Sequence, residues 1–333
     1  MRKEKGVYHK TFFCSGLHGL SDGDKVFDYF LLSDVQYCSN DRGVRWLNLK
    51  LEDKTGVIRA KIWSEKIEME YEGYRGQIVI VSGRINYFAG RPELSVEQLE
   101  LAEDGKFEIS EVVKTLRKEK IQVYKEQISS MVSQIDTVEL KEFVSGLLDD
   151  AALEKMSELP VHICGHHSYR GALLEHVCEV MTASYYHAKS TAAIRDIKYD
   201  LDLVIAGAAL HDIGSLVRCR REGYGFSISG SDRLLGTSYA AHTLLHLARE
   251  KTPLDDTTFG LLLHIIDASH ENGEPQTMEA MTVRSMNRLS AEQEMYENTC
   301  MTSECMFQNS EFVWSKELKK EISRMRRKKE DAN

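Results

Sequence analysis

From about residue 25 to residue 102 apolar and polar positions alternate along the chain. In WLNLKLED (46–53), Leu47, Leu49 and Leu51 fall on one side and Asn48, Lys50 and Glu52 on the other, the period of a half-buried strand. DKTG (53–56) reads as a turn into VIRAKIWS, where Ile58, Ala60 and Ile62 alternate with Arg59 and Lys61, so the two segments predict a hairpin. VFDYFLLSDVQY, QIVIVSGRINYF and PELSVEQLEL supply further strands, with NDRG and AGRP as turns. About five short strands in so short a stretch predict a small closed barrel of the OB type.

After about residue 108 the period becomes helical. SEVVKTLRKEKIQVYKEQISSMVSQI (110–135) and VELKEFVSGLLDDAALEKM (138–156) place apolar residues three and four apart, and Pro160 separates them from further helical segments that run to about 300. KELKKEISRMRRKK (316–329), with eight basic residues against two acidic, predicts a basic helix or a frayed arm.

Composition narrows the picture. At 333 residues the chain can hold two domains, each with its own core. A net charge of -9 argues against coating nucleic acid by bulk electrostatics and confines any such site to a patch. The seven cysteines form no CxxC pair, and an odd number suits free thiols in a reducing compartment. No apolar run approaches the roughly 20 residues that span a bilayer, and MRKEKGVYHK lacks the apolar stretch of a signal peptide. The expectation is a cytoplasmic protein without a membrane partner.

The helical part carries the candidate chemistry. His166, His167 and His176 are followed by His211 and Asp212, then by His264, Asp267, His270 and Glu271. Imidazole with carboxylate suits borderline divalent cations, and oxygen-rich sets suit Mg. His176 shares an inward face with Leu173, Leu174, Val177 and Met181, as either a core histidine or a metal ligand. His211 and Asp212 are adjacent, about 100 degrees apart if helical, and reach one cation only at a helix end or against other ligands. His166, His167, Tyr169 and Arg170 precede the helix of His176 and could line the mouth of the site, binding substrate phosphate or ribose; neighbouring turn residues also serve as caps.

LLEHV followed by ALHDIG resembles the HD phosphohydrolase superfamily. GHHSYRGALLEHV, behind the barrel segment FLLSDVQYCSNDRGVRWLNLKLEDKTGVIRAKIW, is similar to the YhaM-type bacterial 3'-5' exoribonucleases, and the resemblance spans roughly residues 25 to 292. It implies a multidomain chain: an all-β OB-fold barrel followed by an all-α HD domain. The segments would be an N-terminal extension (1–24), an OB-fold nucleic-acid-binding domain (25–104), a helical connector (105–159), an HD-type metal-dependent phosphohydrolase domain (160–300) and a basic C-terminal tail (301–333). It further implies one or two divalent cations, Mn first with Mg, Co or Ni as alternatives, activating water against a phosphodiester. The implied ligands are His176, His211, Asp212, His270, Glu271 and Asn287, with Asp212 also the catalytic residue. The barrel would offer Arg59, Lys61, Tyr87, Phe88 and Arg91 to single-stranded nucleic acid, although Trp46, Trp63 and Phe88 could equally be barrel core.

The chain departs from the family pattern at four positions of this site. Ser215 stands where a lysine follows HDxG, Thr237 where a histidine is expected, Glu271 where a second histidine falls, and Asn287 in place of the closing aspartate. His242 or Asp267 could compensate for Thr237. The first reading is therefore a metal-dependent 3'-5' exonuclease on single-stranded RNA or DNA. The alternatives are a catalytically impaired relative that binds nucleic acid or a partner through the OB fold, and a small-nucleotide phosphohydrolase. A homo-oligomer is compatible with each.

Overall fold

The computed structural model describes residues 1–4, 6–63, 67, 70–88, 90–163, 167–270, 273–306 and 311–325, with backbone alone for 301–306. They form two compact units: Met1–Lys114 with Arg221–Gly225 and Met295–Asn333, and Thr115–Arg220 with Phe226–Glu294.

In the first unit β1 (Arg2–Glu4) and β2 (Val7–His9) pair antiparallel. Five longer strands follow: β3 (Lys25–Ser39), β4 (Arg45–Asp53), β5 (Gly56–Trp63), β6 (Ile78–Phe88) and β7 (Arg91–Leu101). They close a barrel in the order β3-β4-β5-β7-β6. Only β5 and β7 run parallel, Ala60 facing Leu94; the other four pairings are antiparallel. That order with that one parallel pairing is the OB arrangement. The alternation explains the closure, since Leu47, Leu49, Leu51, Ile58, Ala60 and Ile62 are all buried in the barrel interior. Gly83 sits at a bulge in the β6–β7 ladder, and a Cβ there would lie 2.4 Å from Ser95 O. Glycine lets the two strands approach at that point.

Residues 10–17, which the pattern left outside the barrel, dock on it. Cys14 and Leu17 join its core, and buried Asp28 accepts from Thr11 N (2.7 Å) and Phe12 N (2.8 Å). Asp53 accepts from Cys14 N at 2.8 Å. Lys10 is buried with them, its Nζ 3.5 Å from Asp53 Oδ2, 3.9 Å from Asp28 Oδ1 and 3.6 Å from the centre of the Phe30 ring. The buried charges are thus paired and hydrogen-bonded, as burial requires.

The helical elements are α1 (Lys118–Ser133), α2 (Val138–Leu147), α3 (Asp150–Met156), α4 (Ala172–Arg195), α5 (Leu201–Leu210) and α6 (Ser215–Arg218). After the short strands β8 (Cys219–Glu222) and β9 (Gly225–Ile228) come α7 (Gly230–Arg249), α8 (Asp256–Ser269) and α9 (Met278–Met306). Two helical expectations are corrected. The helix expected from 110 begins only at Lys118, because Leu116 N donates to Arg170 O and Thr115 bridges to Arg170. The stretch 138–156 divides where Asp149 leaves the helical conformation and caps Ala152 N at 2.8 Å.

The tail also differs from expectation. β10 (Phe312–Ser315) and β11 (Lys320–Ser323) pair antiparallel, so the described part of 316–329 is a turn and a strand rather than a helix. Val313 and Ile322 are buried with Cys300, and this one-sided apolar content outweighs the surrounding lysines.

Candidate metal centre

Helix α4 is N-capped by Gly171, whose φ of +89° suits glycine and where an added Cβ would lie 2.7 Å from Leu116 Cβ. Five residues after that N-cap glycine, His176 points inward and is 1% exposed. Helix α5 packs beside α4 and ends at Leu210, placing His211 and Asp212 at its C-terminal end, 0% and 6% exposed. The adjacency question raised by the sequence is resolved there: at a helix end both side chains turn to one point. His211 Nε2 lies 3.1 Å from His176 Nε2. Asp212 Oδ2 lies 3.4 Å from His211 Nε2 and 3.6 Å from His176 Nε2.

The protonation of this cluster follows from its surroundings. Burial pushes both imidazoles below their ordinary value, and for His176 the neighbouring His211 adds to the effect. Burial alone would raise Asp212, but His211, His270 and His176 more than offset it and hold the carboxyl low. The set is therefore two neutral rings and one carboxylate. His211 Nδ1 lies 2.8 Å from Ala208 O, and a carbonyl only accepts, so Nδ1 carries the proton and Nε2 presents its lone pair to the cluster. A lone pair beside a carboxylate and a second imidazole nitrogen is a donor set that fits a divalent cation.

The remaining predicted residues are placed as follows. His270 Nε2 lies 3.1 Å from His211 O and 3.8 Å from Asp212 Oδ1; because the carbonyl accepts, that nitrogen is a donor, and His270 supports the HD turn rather than offering it a lone pair. Asn287 donates Nδ2–H to Ser269 O at 3.0 Å, and its side chain interacts with the His176 ring. Glu271 and His166 lie outside the described residues. Ser215 is buried at the start of α6. Thr237 Oγ1 accepts from Arg218, whose guanidinium also donates to Asp232 O at 3.1 and 3.2 Å. His242 pairs with Asp267 at 2.9 Å.

Three of the residues expected at the mouth of the site are placed as follows. His167 is buried, its ring centre 4.8 Å from that of His176. Its φ is +49°, a conformation uncommon for a side-chain-bearing residue, held by His167 N donating to Glu294 and Val161 N donating to His167 O. Tyr169 donates to Glu175, and Arg170 pairs with Glu158. Both are engaged in local pairs that fix the entry to α4.

The structure adds residues that the pattern had not singled out. Ser290 Oγ lies 3.0 Å from His176 Nδ1, 2.7 Å from Glu179 Oε2 and 3.3 Å from His167 Nε2. Asn287, Ser290 and Glu294 stand at i, i+3 and i+7 of α9 and share one face; with all Asn, Ser and Glu common on exposed helices, only that spacing beside the apolar Val283 hinted at an inward role. His162 is electrostatically coupled to Asp212, His167 and His270.

On the barrel, the outer face of β4 and β5 carries aromatics. Trp46 and Trp63 are 6.2 Å apart between ring centres, and Lys61 Nζ lies 5.9 Å from Trp63 and 5.4 Å from Phe88. Trp63 is 45% exposed and Phe88 72%, so neither is core. Lys61 also pairs with Glu93 at 2.8 Å. Arg59 and Arg91 are exposed. Tyr87 instead donates its hydroxyl to Leu20 O (2.9 Å) or His18 O (3.0 Å) and so anchors the N-terminal segment.

An OB barrel and a helical unit with a buried His-His-Asp cluster define the class: a two-unit chain carrying a nucleic-acid-binding type of fold and a candidate metal centre. Its relatives narrow the class. The chain is 25% identical over 279 residues to the 3'-5' exoribonuclease YhaM of Bacillus velezensis, covering 81% of this chain and 85% of that protein. It is 24% identical over 283 residues to the protein of that name from Bacillus subtilis, covering 82% and 87%. For Halalkalibacterium halodurans the identity is 26% over 286 residues, covering 82% and 85%. Over about four fifths of its length the chain is thus similar to proteins named 3'-5' exoribonuclease YhaM. No protein-family model matches it. The second OB-fold domain of replication protein A from Methanococcus maripaludis is 24% identical over 25% of this chain and 86% of that one, at a TM-score of 0.19; the OB assignment rests on strand order instead. Among the described residues no helix is long and apolar enough to cross a membrane.

Proposed function

We propose that the chain is a divalent-cation-dependent 3'-5' exoribonuclease acting on single-stranded RNA in the cytoplasm. The observation that supports this most is the convergence of His176 Nε2, His211 Nε2 and Asp212 Oδ2 at a buried helix end, in a homologue of enzymes so named. These three residues would hold the cation, with Mn the first choice for two nitrogens and one oxygen. When bound, the cation supplies a Lewis acid that neutralises phosphate charge and lowers the pKa of water.

The chain's own residues set the rest. Asp212 supplies the negative charge that draws a cation to two neutral rings. His270 holds the HD turn through His211 O, and Asn287 ties α9 to the end of α8 through Ser269 O. In this reading residues 25–104 bind the strand through Trp63, Phe88, Lys61, Arg59 and Arg91, residues 105–159 connect, and residues 160–300 cut. Tyr87 is left out of the binding set because its hydroxyl is used internally.

A second reading, binding without turnover, draws on Arg218 filling the space at Thr237. One experiment separates the two. Single-stranded RNA labelled at its 5' end is incubated with the full chain and Mn. Exonuclease action gives a ladder that shortens from the 3' end and is abolished by a chelator. Intact RNA in the presence of a folded, Mn-loaded chain would overturn the first reading and leave the second.

A further inference from the structure

The Ser290 hydroxyl occupies the middle of a second group of titratable side chains. His167, His176 and Glu179 bring ligand-type atoms within 4.8 Å of one another, which alone would suggest another cation site. Ser290 Oγ, however, stands within 3.3 Å of all three, where such a cation would have to sit. The cluster is a hydrogen-bond hub.

The proton order in that hub is determined. A hydroxyl has one proton and two lone pairs, and an ionised carboxylate only accepts. The shortest contact, 2.7 Å, runs from Ser290 Oγ to Glu179 Oε2, so the hydroxyl proton goes there. Ser290 can then only accept from His176 Nδ1, at 3.0 Å, and its other lone pair faces His167 Nε2 at 3.3 Å. With its proton on Nδ1, His176 must present an Nε2 lone pair to His211 and Asp212, where His211 already presents its own.

We propose that Ser290, backed by Glu179, is the positioning residue that holds His176 in the Nδ1–H form and so completes the cation-binding set. The inference rests on the reading of His176 as a cation ligand. Partners of this kind behind a ligating histidine change metal affinity by about 10- to 100-fold when removed. The Ser290 contact spans α4 and α9, over 114 residues of sequence. It therefore also fixes the ring against rotation.

The test uses the full chain with ring-labelled histidine and Mn alone as the ligand. In the metal-free wild type, long-range proton–nitrogen NMR should show His176 protonated at Nδ1; protonation at Nε2 would overturn the proposal whether or not Mn binds. S290A should show mixed or reversed protonation and a Mn affinity at least tenfold weaker, with unchanged circular dichroism. S290T, which keeps the hydroxyl, should restore both. E179A, which releases the hydroxyl proton towards His176, should shift the ring towards Nε2–H and weaken Mn several-fold. Wild-type Mn affinity in a folded S290A would refute the proposal, whereas failure of the wild type to degrade RNA while these shifts appear would refute only the proposed activity.

Discussion

Replacing Gly214 by alanine tests how the HD turn is held. Gly214 follows Ile213 on the turn that carries His211 and Asp212, with φ -58° and ψ -25°, so its backbone imposes no need for glycine. Space does. A Cβ would lie 2.4 Å from Thr237 O and 2.9 Å from Ala241 N, whereas ordinary close carbon–oxygen contacts in proteins begin at about 3.3 Å. Helix α7 must withdraw by about 0.9 Å, the difference of those two distances. Overpacking of this kind costs about 1–3 kcal/mol. Gly260 is the control, because it lies inside α8 with nothing within 4 Å of its Cβ position. There alanine should stabilise by about 0.5–1 kcal/mol. The two variants should thus differ by about 1.5–4 kcal/mol, or roughly 3 to 16 °C in the melting temperature of a unit this size. A shift near 1 Å at the reacting groups lowers turnover by about 100-fold, so G214A should lose RNA degradation while G260A keeps it. Equal melting temperatures and equal activity for the two would refute the packing argument.

Two further outcomes follow from the barrel. The double variant W63A/F88A should weaken single-stranded RNA binding by about 2–6 kcal/mol if each ring stacks one base, measured by fluorescence anisotropy, and leave Mn binding unchanged; unaltered RNA affinity would remove this face from the account. K10M should destabilise the barrel by about 3–5 kcal/mol, since it leaves Asp53 buried without its cation and Asp28 with only the N-terminal ammonium of Met1. Urea unfolding followed by Trp46 and Trp63 fluorescence in a W314F background reads that loss, and a change below about 1 kcal/mol would mean that the backbone donors and the Met1 ammonium satisfy the two carboxylates without Lys10.

Legibility in the sequence tracked the range of the interaction. Leu47, Leu49 and Leu51 announced their strand because alternation is local, and the five strands fixed the barrel because few closed solutions exist for so short a stretch. Lys10 gave no signal, since its partners Asp28 and Asp53 lie on two different strands. The C-terminal hairpin was hidden by lysines flanking its few apolar positions, and the break at Asp149 by an apolar spacing that continues on either side. The His176–His211–Asp212 grouping was suggested by motif, but its geometry depends on α5 ending at Leu210. Ser290 and Glu179 were invisible for a plainer reason: a serine or glutamate on a helix declares its role only when the facing helix is known. The same holds for His167, whose place in a turn suggested an open mouth and whose left-handed backbone turns it inward.

The central claim is that His176, His211 and Asp212 together hold a divalent cation. A crystal of the full chain soaked in Mn, with data collected at the Mn absorption edge, tests it most directly. The account predicts one anomalous peak bounded by His176 Nε2, His211 Nε2 and Asp212 Oδ2, absent from D212A crystals of the same form. No peak at that point in the wild type, or a peak in the Ser290 hub instead, would contradict it.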